Sequence, residues 1–271
     1  MAGTLALYAW LVMMALWFVL PILWAVISSF KPRGDIFSYP PKLLPATTTL
    51  ENYGNLLDGN PFWHWYAMSI IVGLLSTVVS VAVCALAGFG FAKYRFRGKN
   101  VLFDVVFSSL AIPLAVIVVP LFILMVKMGL TNPYFALIVP WVAPAFGIFM
   151  MRQFIGQAIP DELMEAARLD GCSEFMIFWR VVVPLVRPAL GAMAVWSFIS
   201  AYNSFLWPLI IVNSPNNYTL PLGLNTLFAT QNRAYDLVLA GSVLATIPTI
   251  VVFVALRRQL IDGLTAGAVK S

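Results

Sequence analysis

Six stretches of this chain are long and apolar enough to cross a bilayer, and they constrain its fold more than any other feature. A helix needs about 20 consecutive apolar residues to span the hydrocarbon core. The stretches are Leu5–Phe30, Trp65–Ala92, Val101–Val126, Tyr134–Met151, Pro188–Val212 and Leu237–Leu256. In lipid the backbone N–H and C=O groups must be satisfied within the protein, so apolar runs of this length fold as helices. The expected class is an all-α integral membrane protein with six transmembrane helices in one domain over residues 1–271. Composition agrees, with 61% hydrophobic and only 10% charged residues, against about 25% charged in a soluble domain. The first stretch lacks a basic leader and a small-x-small cleavage site and is too long for a signal peptide, so it is read as a span.

Lys and Arg set the orientation. Eleven of them fall on one side: Lys93, Arg95, Arg97, Lys99, Arg152, Arg168, Arg180, Arg187, Arg257, Arg258 and Lys270. Five fall on the other: Lys31, Arg33, Lys42, Lys127 and Arg233. The richer side is expected to be cytoplasmic, which puts both termini and residues 157–187 on the cytoplasmic side of the cell membrane. The net charge of +5 is read by location, as orientation and not as a nucleic-acid signal. The short basic loop Lys93–Lys99, KYRFRGK, is likewise read as an orientation signal.

The chemistry that is absent narrows the function. No Gly-x-x-x-x-Gly-Lys-Ser/Thr sequence occurs, and Gly98-Lys99-Asn100 lacks both the glycine spacing and the hydroxyl. The chain therefore cannot hydrolyse ATP by that route. His64 is the only histidine, and Cys84 and Cys172 lie far apart, which speaks against a transition-metal site and a disulfide framework. No paired carboxylates or activated nucleophile offer an intramembrane enzyme. Span centres are free of charge; Asp104 and Lys127 lie at span ends. A central charge costs roughly 2.5–3.5 kcal/mol on insertion scales and is usually functional where it is kept. Its lack argues against an ion-coupled secondary carrier and for a driving force applied from outside the membrane. It also favours an uncharged substrate. Pro113, Pro120, Pro140, Pro144, Pro208 and Pro248 fall within spans, where each can kink a helix. Gly88 and Gly90 are read as helix-packing residues rather than a nucleotide loop.

The polar stretch Pro160–Pro184 reads as two short helices around a glycine. Asp161 is expected to cap the first, with Glu162 in its first turn. Leu163, Ala166 and Ala167 share one small face. Gly171 suits a left-handed helix end, and Ser173 caps a second helix over Glu174–Val183. Glu165-Ala166-Ala167, three further residues, Gly171 and an apolar run closing on Pro184 resemble the EAA loop of ABC importer permeases. Val181 and Val183 stand where that family commonly has isoleucine and leucine. In the family this loop is the coupling helix that docks on the ATPase subunit. The resemblance therefore implies that Glu165, Ala166, Ala167, Asp170 and Gly171 couple the chain to an ATPase.

Arg257-Arg258-Gln259 followed by GLTAGAVKS, and the run YNSFLWPL at Tyr202–Leu209, resemble the maltose-type carbohydrate importer permeases. Tryptophan is usual in that family at the Tyr202 position. The resemblance covers essentially the whole chain and implies a type I ABC importer permease fold. It implies a tail, residues 263–271, that reaches the ATPase dimer through Gly263, Thr265, Gly267 and Val269. It also implies a homologous second permease, two ATP-binding cassette subunits that hold ATP and Mg, an extracytoplasmic solute-binding protein, and no cofactor in this chain. The fifth span is polar near its middle. Tyr202, Asn203 and Trp207 are expected along the substrate path, with Asn203 facing it and Tyr202 flanking. Interhelical hydrogen bonding is the alternative for each of these groups. Asn213, Asn216 and Asn217 come next in a polar loop, which in the family reaches the binding protein. The expected function is sugar uptake; a polyol or glycerol-phosphate importer is the nearest alternative.

Overall fold

The computed structural model describes residues 2–40, 42–45, 47–130, 133–229 and 234–266. Among these there is no strand. The helices are α1 (Ala2–Ser29), α2 (Glu51–Gly59), α3 (Phe62–Lys93), α4 (Lys99–Ser108), α5 (Leu114–Lys127), α6 (Pro133–Ile138) and α7 (Ala145–Ala158). They continue as α8 (Asp161–Leu169), α9 (Glu174–Ile177), α10 (Val183–Leu185), α11 (Arg187–Tyr202), α12 (Leu206–Ile211), α13 (Leu220–Ala229) and α14 (Tyr235–Ala266). Gly3–Ser29, Phe62–Lys93 and Tyr235–Gln259 are each long and apolar enough to cross a membrane. Two bent pairs, Lys99–Ala111 with Leu114–Lys127 and Tyr134–Trp141 with Ala145–Ala158, supply two further spans, and Arg187–Tyr202, which Glu174–Leu185 joins at a bend, supplies the fifth.

The bends correct three of the expected spans. Val101–Val126 is not one rod; it turns by 112°. Ile112 is extended there, at φ −87° and ψ 115°, because a residue before proline is pushed out of the α region. The fourth span runs on to Ala158 and bends by 43° ahead of α7, whose N-cap is the extended Pro144. The fifth does not run from Pro188 to Val212. Its helix stops at Tyr202, and the short α12 comes after a break. Its other end meets α10 at 82°. Pro120 and Pro248 lie inside α5 and α14, which continue through them.

The chain divides into two units. One comprises residues 1–66 and 218–247. In it, the buried Lys31 donates from Nζ to the Lys42 carbonyl at 2.7 Å. Asn52 donates to the carbonyls of Ser29 and Lys31, at 2.8 Å each. These bonds satisfy the polar end of α1, whereas the side chains from Leu5 to Leu23 are largely exposed and apolar all round.

The second unit comprises residues 67–217 and 248–271. Its core joins Cys84, Phe89, Met151, Ile155, Met164, Ile177, Phe178, Val182 and Met193. Gly88 makes the close approach of α3 and α7 possible: a β-carbon there would lie 2.6 Å from Met151 Cβ and 2.8 Å from the Arg152 nitrogen. The packing role expected for Gly88 is thus met, while Gly90 faces open space.

Candidate functional site

The 157–187 segment is built by local rules. Pro160, extended at ψ 148°, precedes α8 and supplies a pre-set φ at its entrance. At the other end Gly171 has φ +80°, donates to the Arg168 carbonyl, and passes the chain to Cys172, which donates to the Ala167 carbonyl. This pair of bonds is the Schellman arrangement, and it satisfies carbonyls the helix end would otherwise orphan. No atom lies within 4 Å of a β-carbon built on Gly171. The backbone conformation, and not space, is what favours glycine there. Ser173 caps α9 as expected, its Oγ accepting from the Met176 N–H at 3.3 Å.

Two local expectations are corrected. Asp161 does not cap α8; it lies inside the first turn, and its carboxylate accepts from Lys93 Nζ at 2.7 Å. The face of α8 turned to the core runs through Met164, 2% exposed, and the half-buried Ala167. Leu163, Ala166 and Leu169 remain exposed. Leu163 and Ala166, three residues apart, do share one face, and that face is exposed, with the half-buried Ala167 at its edge. The second helix is not α-helical to Val183, because Phe178–Val182 form a π turn. That turn ends beside Pro184, where the α-helical ladder has no N–H donor.

The exposed rim of the segment carries Glu165, Ala166, Leu169, Asp170 and Gly171. Phe175 and Trp179 are also open, at 69% and 53% exposure. Their rings meet edge to face at 6.2 Å, and Trp179 lines an apolar groove with Val78, Ala82 and Leu86 of α3.

Polar links fasten this segment to the end of α3. Lys93 donates to the Ile159 carbonyl as well as to Asp161. Tyr94 donates from its hydroxyl to Glu174 Oε2 at 2.5 Å, and Arg168 donates from Nε to Glu174 Oε1 at 2.7 Å. The hydrogen bond and charge of Lys93 hold the Asp161 carboxyl below its ordinary value. Arg168, then Tyr94, do the same for Glu174. Burial and the bond to Glu174 push the Tyr94 phenol up to about 12. Lys93, Tyr94, Arg95, Asp161, Met164, Glu165 and Arg168 enclose a cleft of about 360 Å³. The sequence reading gave Lys93 and Tyr94 no role beyond orientation. Their only signal was the position of a cation and a phenol at the very end of a span.

The second candidate region is the end of α11 together with α12 and the loop beyond it. Tyr202 is 1% exposed, its ring stacked on Phe198 at 5.3 Å and 14°. Trp207 is equally buried, and its Nε1 donates to the Ala136 carbonyl at 2.8 Å. Asn203 alone of the three is exposed; it ends α11 and donates from Nδ2 to the Ile199 carbonyl at 3.0 Å. The three expected path residues are near one another in sequence, but two of them lie in the interior of their unit. Asn213 and Asn216 are exposed and Asn217 is half-buried, in a short 3₁₀ turn over Pro215–Asn217. At the tail, α14 continues through Gly263 and Thr265 to Ala266, so the expected tail begins within a helix. Gly267 and Val269 lie outside the described residues.

A family model described as "Binding-protein-dependent transport system inner membrane component" matches residues 84–264. The chain belongs to this family. Relatives agree over nearly their full lengths. The arabinooligosaccharides transport system permease protein AraQ of Bacillus subtilis (strain 168) is 35% identical over 98% of this chain and 95% of its own. The lactose transport system permease protein LacG of Rhizobium radiobacter is 34% identical over 93% and 91%. The sn-glycerol-3-phosphate transport system permease protein UgpE of Salmonella typhi is 32% identical over 90% and 89%. A chain of a bacterial ABC transporter involved in alginate import has the same fold, with a TM-score of 0.79, 23% identity and 96% of each chain covered. The permease is thus a multi-pass membrane protein with the six-span, all-α importer fold, and its role is transport, not catalysis.

Proposed function

We propose that this permease forms the path by which a neutral sugar, delivered by an extracytoplasmic solute-binding protein, crosses the cytoplasmic membrane. It works beside a homologous second permease, with both termini in the cytoplasm, and two ATP-binding cassette subunits bind ATP and Mg and carry out hydrolysis. The observation that carries this reading is the glycine-ended α8 with its exposed Glu165, Ala166 and Leu169 rim. It is a rigid, partly apolar knob of a kind a cytoplasmic ATPase can grip, at the place where the basic loops cluster. The names of AraQ and LacG support a sugar as cargo, as do charge-free span centres. Asn203 is the path residue of choice, since it is exposed and offers donor and acceptor. Asn213, Asn216 and Asn217 face the binding protein, and the end of α14 with Gly263 and Thr265 leads the tail toward the ATPases.

A second reading, glycerol phosphate, is favoured by the likeness to UgpE; the absence of Lys and Arg from span centres weighs against it, because a phosphate wants a cation partner. The test is reconstitution of the assembled transporter in proteoliposomes with its binding protein. ATP-dependent uptake of labelled arabinooligosaccharide or lactose is the expected result. Uptake of glycerol 3-phosphate instead would select the second reading, and uptake independent of ATP would overturn both.

A further inference from the structure

The basic loop at 93–99 does more than set orientation. Lys93 ends α3, its side chain only 6% exposed, and reaches the start of the coupling segment. Its ammonium binds both the Ile159 carbonyl, just before α8, and the Asp161 carboxylate in the first turn of α8. The next residue, Tyr94, donates to Glu174 in α9, and Glu174 is in turn held by Arg168 near the end of α8. Two consecutive residues at one helix end thus grip the coupling segment at both its start and its middle. Lys99 donates to the Tyr94 carbonyl at 2.9 Å, tying the loop itself. The Phe89 and Tyr94 rings meet edge to face at 5.2 Å, and Phe89 lies 5.5 Å from Phe178 of the π turn.

We propose that Lys93 and Tyr94 are positioning residues that latch the coupling segment to the cytoplasmic end of α3, so that the two move as one body when the ATPase pulls. The inference rests on reading residues 157–187 as the coupling loop. Free energy reaches distant spans only through elements that hold together while they move. α8 has a single deeply buried residue, Met164. Ala167 adds only a half-buried methyl to that contact, and so small an apolar contact resists being pulled away better than it resists twisting. Directional bonds from Lys93 at the first turn of α8, and from Tyr94 to Glu174, which Arg168 ties to the last turn of α8, supply the missing constraint. A charge-assisted bond is also the stronger kind. The force then enters α3 along its whole 32-residue length.

The experiment uses the complete transporter with spin labels on cysteines replacing the exposed Arg97 and Glu162, in a Cys172→Ser background. Interspin distances are measured without nucleotide and with ATP trapped, and uptake and ATP hydrolysis are measured on the same samples. The expected result is one narrow distance unchanged by nucleotide. Lys93→Met with Tyr94→Phe should broaden it and lower solute moved per ATP by about fivefold or more, the lower end of usual coupling energies. Lys93→Arg, which keeps a charged donor for both the Ile159 carbonyl and Asp161, should preserve both. Tyr94→Phe alone removes one hydroxyl and keeps the test open should Lys93→Met fail to assemble; it should broaden the distance partially. A wild-type distance that shifts with ATP overturns the proposal, as does an unchanged transport-to-ATP ratio in the double variant. Should the intact transporter move none of the tested sugars yet show the constant distance and its loss in the variant, the latch stands and the cargo assignment falls.

Discussion

Gly191 of α11 lies against Gln259 of α14 so closely that a β-carbon on the glycine would sit 2.8 Å from Gln259 Cγ. The Gln259 Oε1 is buried there without a hydrogen-bond partner among the described residues. Gln259 lies in the part of α14 that precedes the proposed tail. We expect Gly191→Val to cost about 1–3 kcal/mol through overpacking and to lower the melting temperature of the purified transporter. Gly90→Val, where nothing lies within 4 Å, is the control and should change little. Equal effects from the two would show that the close approach carries no weight.

The end of α11 separates structural from solute-facing groups. Tyr202→Ala should open a cavity and cost about 3–5 kcal/mol, as for large aromatic truncations, with loss of assembled protein. Trp207→Phe keeps an aromatic ring but leaves the Ala136 carbonyl without its donor, a loss of about 1 kcal/mol. Asn203→Leu should leave assembly and basal ATPase intact and reduce uptake. Thermal stability, uptake and basal hydrolysis measured side by side decide the matter. Normal uptake in Asn203→Leu would move the solute site to the companion permease.

Gly171 holds φ +80°, which a β-carbon penalises by about 1–2 kcal/mol. Gly171→Val should therefore loosen the α8 end without blocking insertion. Glu165→Lys reverses a charge on the exposed rim. Both should lower uptake and solute-stimulated ATP hydrolysis together. Variants that keep full stimulation would reduce the rim to ordinary surface.

The latch has a defined pH window. Asp161 and Glu174 have carboxyls held below their ordinary values, so their stabilising contribution is present above the unfolded carboxylate range, about 4. It is lost only as pH falls through the still lower folded values. The Tyr94 phenol, raised to about 12, stays a donor throughout the neutral range. The Arg97–Glu162 distance should be flat between about pH 5 and 9 and broaden only under stronger acid. Broadening at neutral pH would show that other titrating groups govern the contact.

Orientation is checked by labelling. A cysteine at the exposed Asn216 should react with an impermeant maleimide added outside intact cells, and one at Ser271 should react only after permeabilisation. The opposite pattern would invert the topology and remove the coupling assignment.

Much of this architecture was legible in the amino-acid order alone. Hydropathy over windows of about 20 residues located the spans, because the cost of exposing backbone to lipid depends on the run itself. Gly171 and Ser173 were readable for a similar reason: a left-handed helix end and a hydroxyl cap are settled within one turn. Tertiary structure decided the rest. Pro113 marked a kink in sequence, but the size of its bend, 112°, depends on what α4 and α5 pack against. Tyr202 and Trp207 looked like path residues because polarity was visible and burial was not; Phe198 and the Ala136 carbonyl claim them. Lys93 meets Asp161 across 68 positions, and Tyr94 meets Glu174 across 80. Local sequence carries no signal for partners so far apart, since only the packing of α3 beside α8 and α9 brings a span's last cation to a carboxylate that the sequence alone had offered as a helix cap.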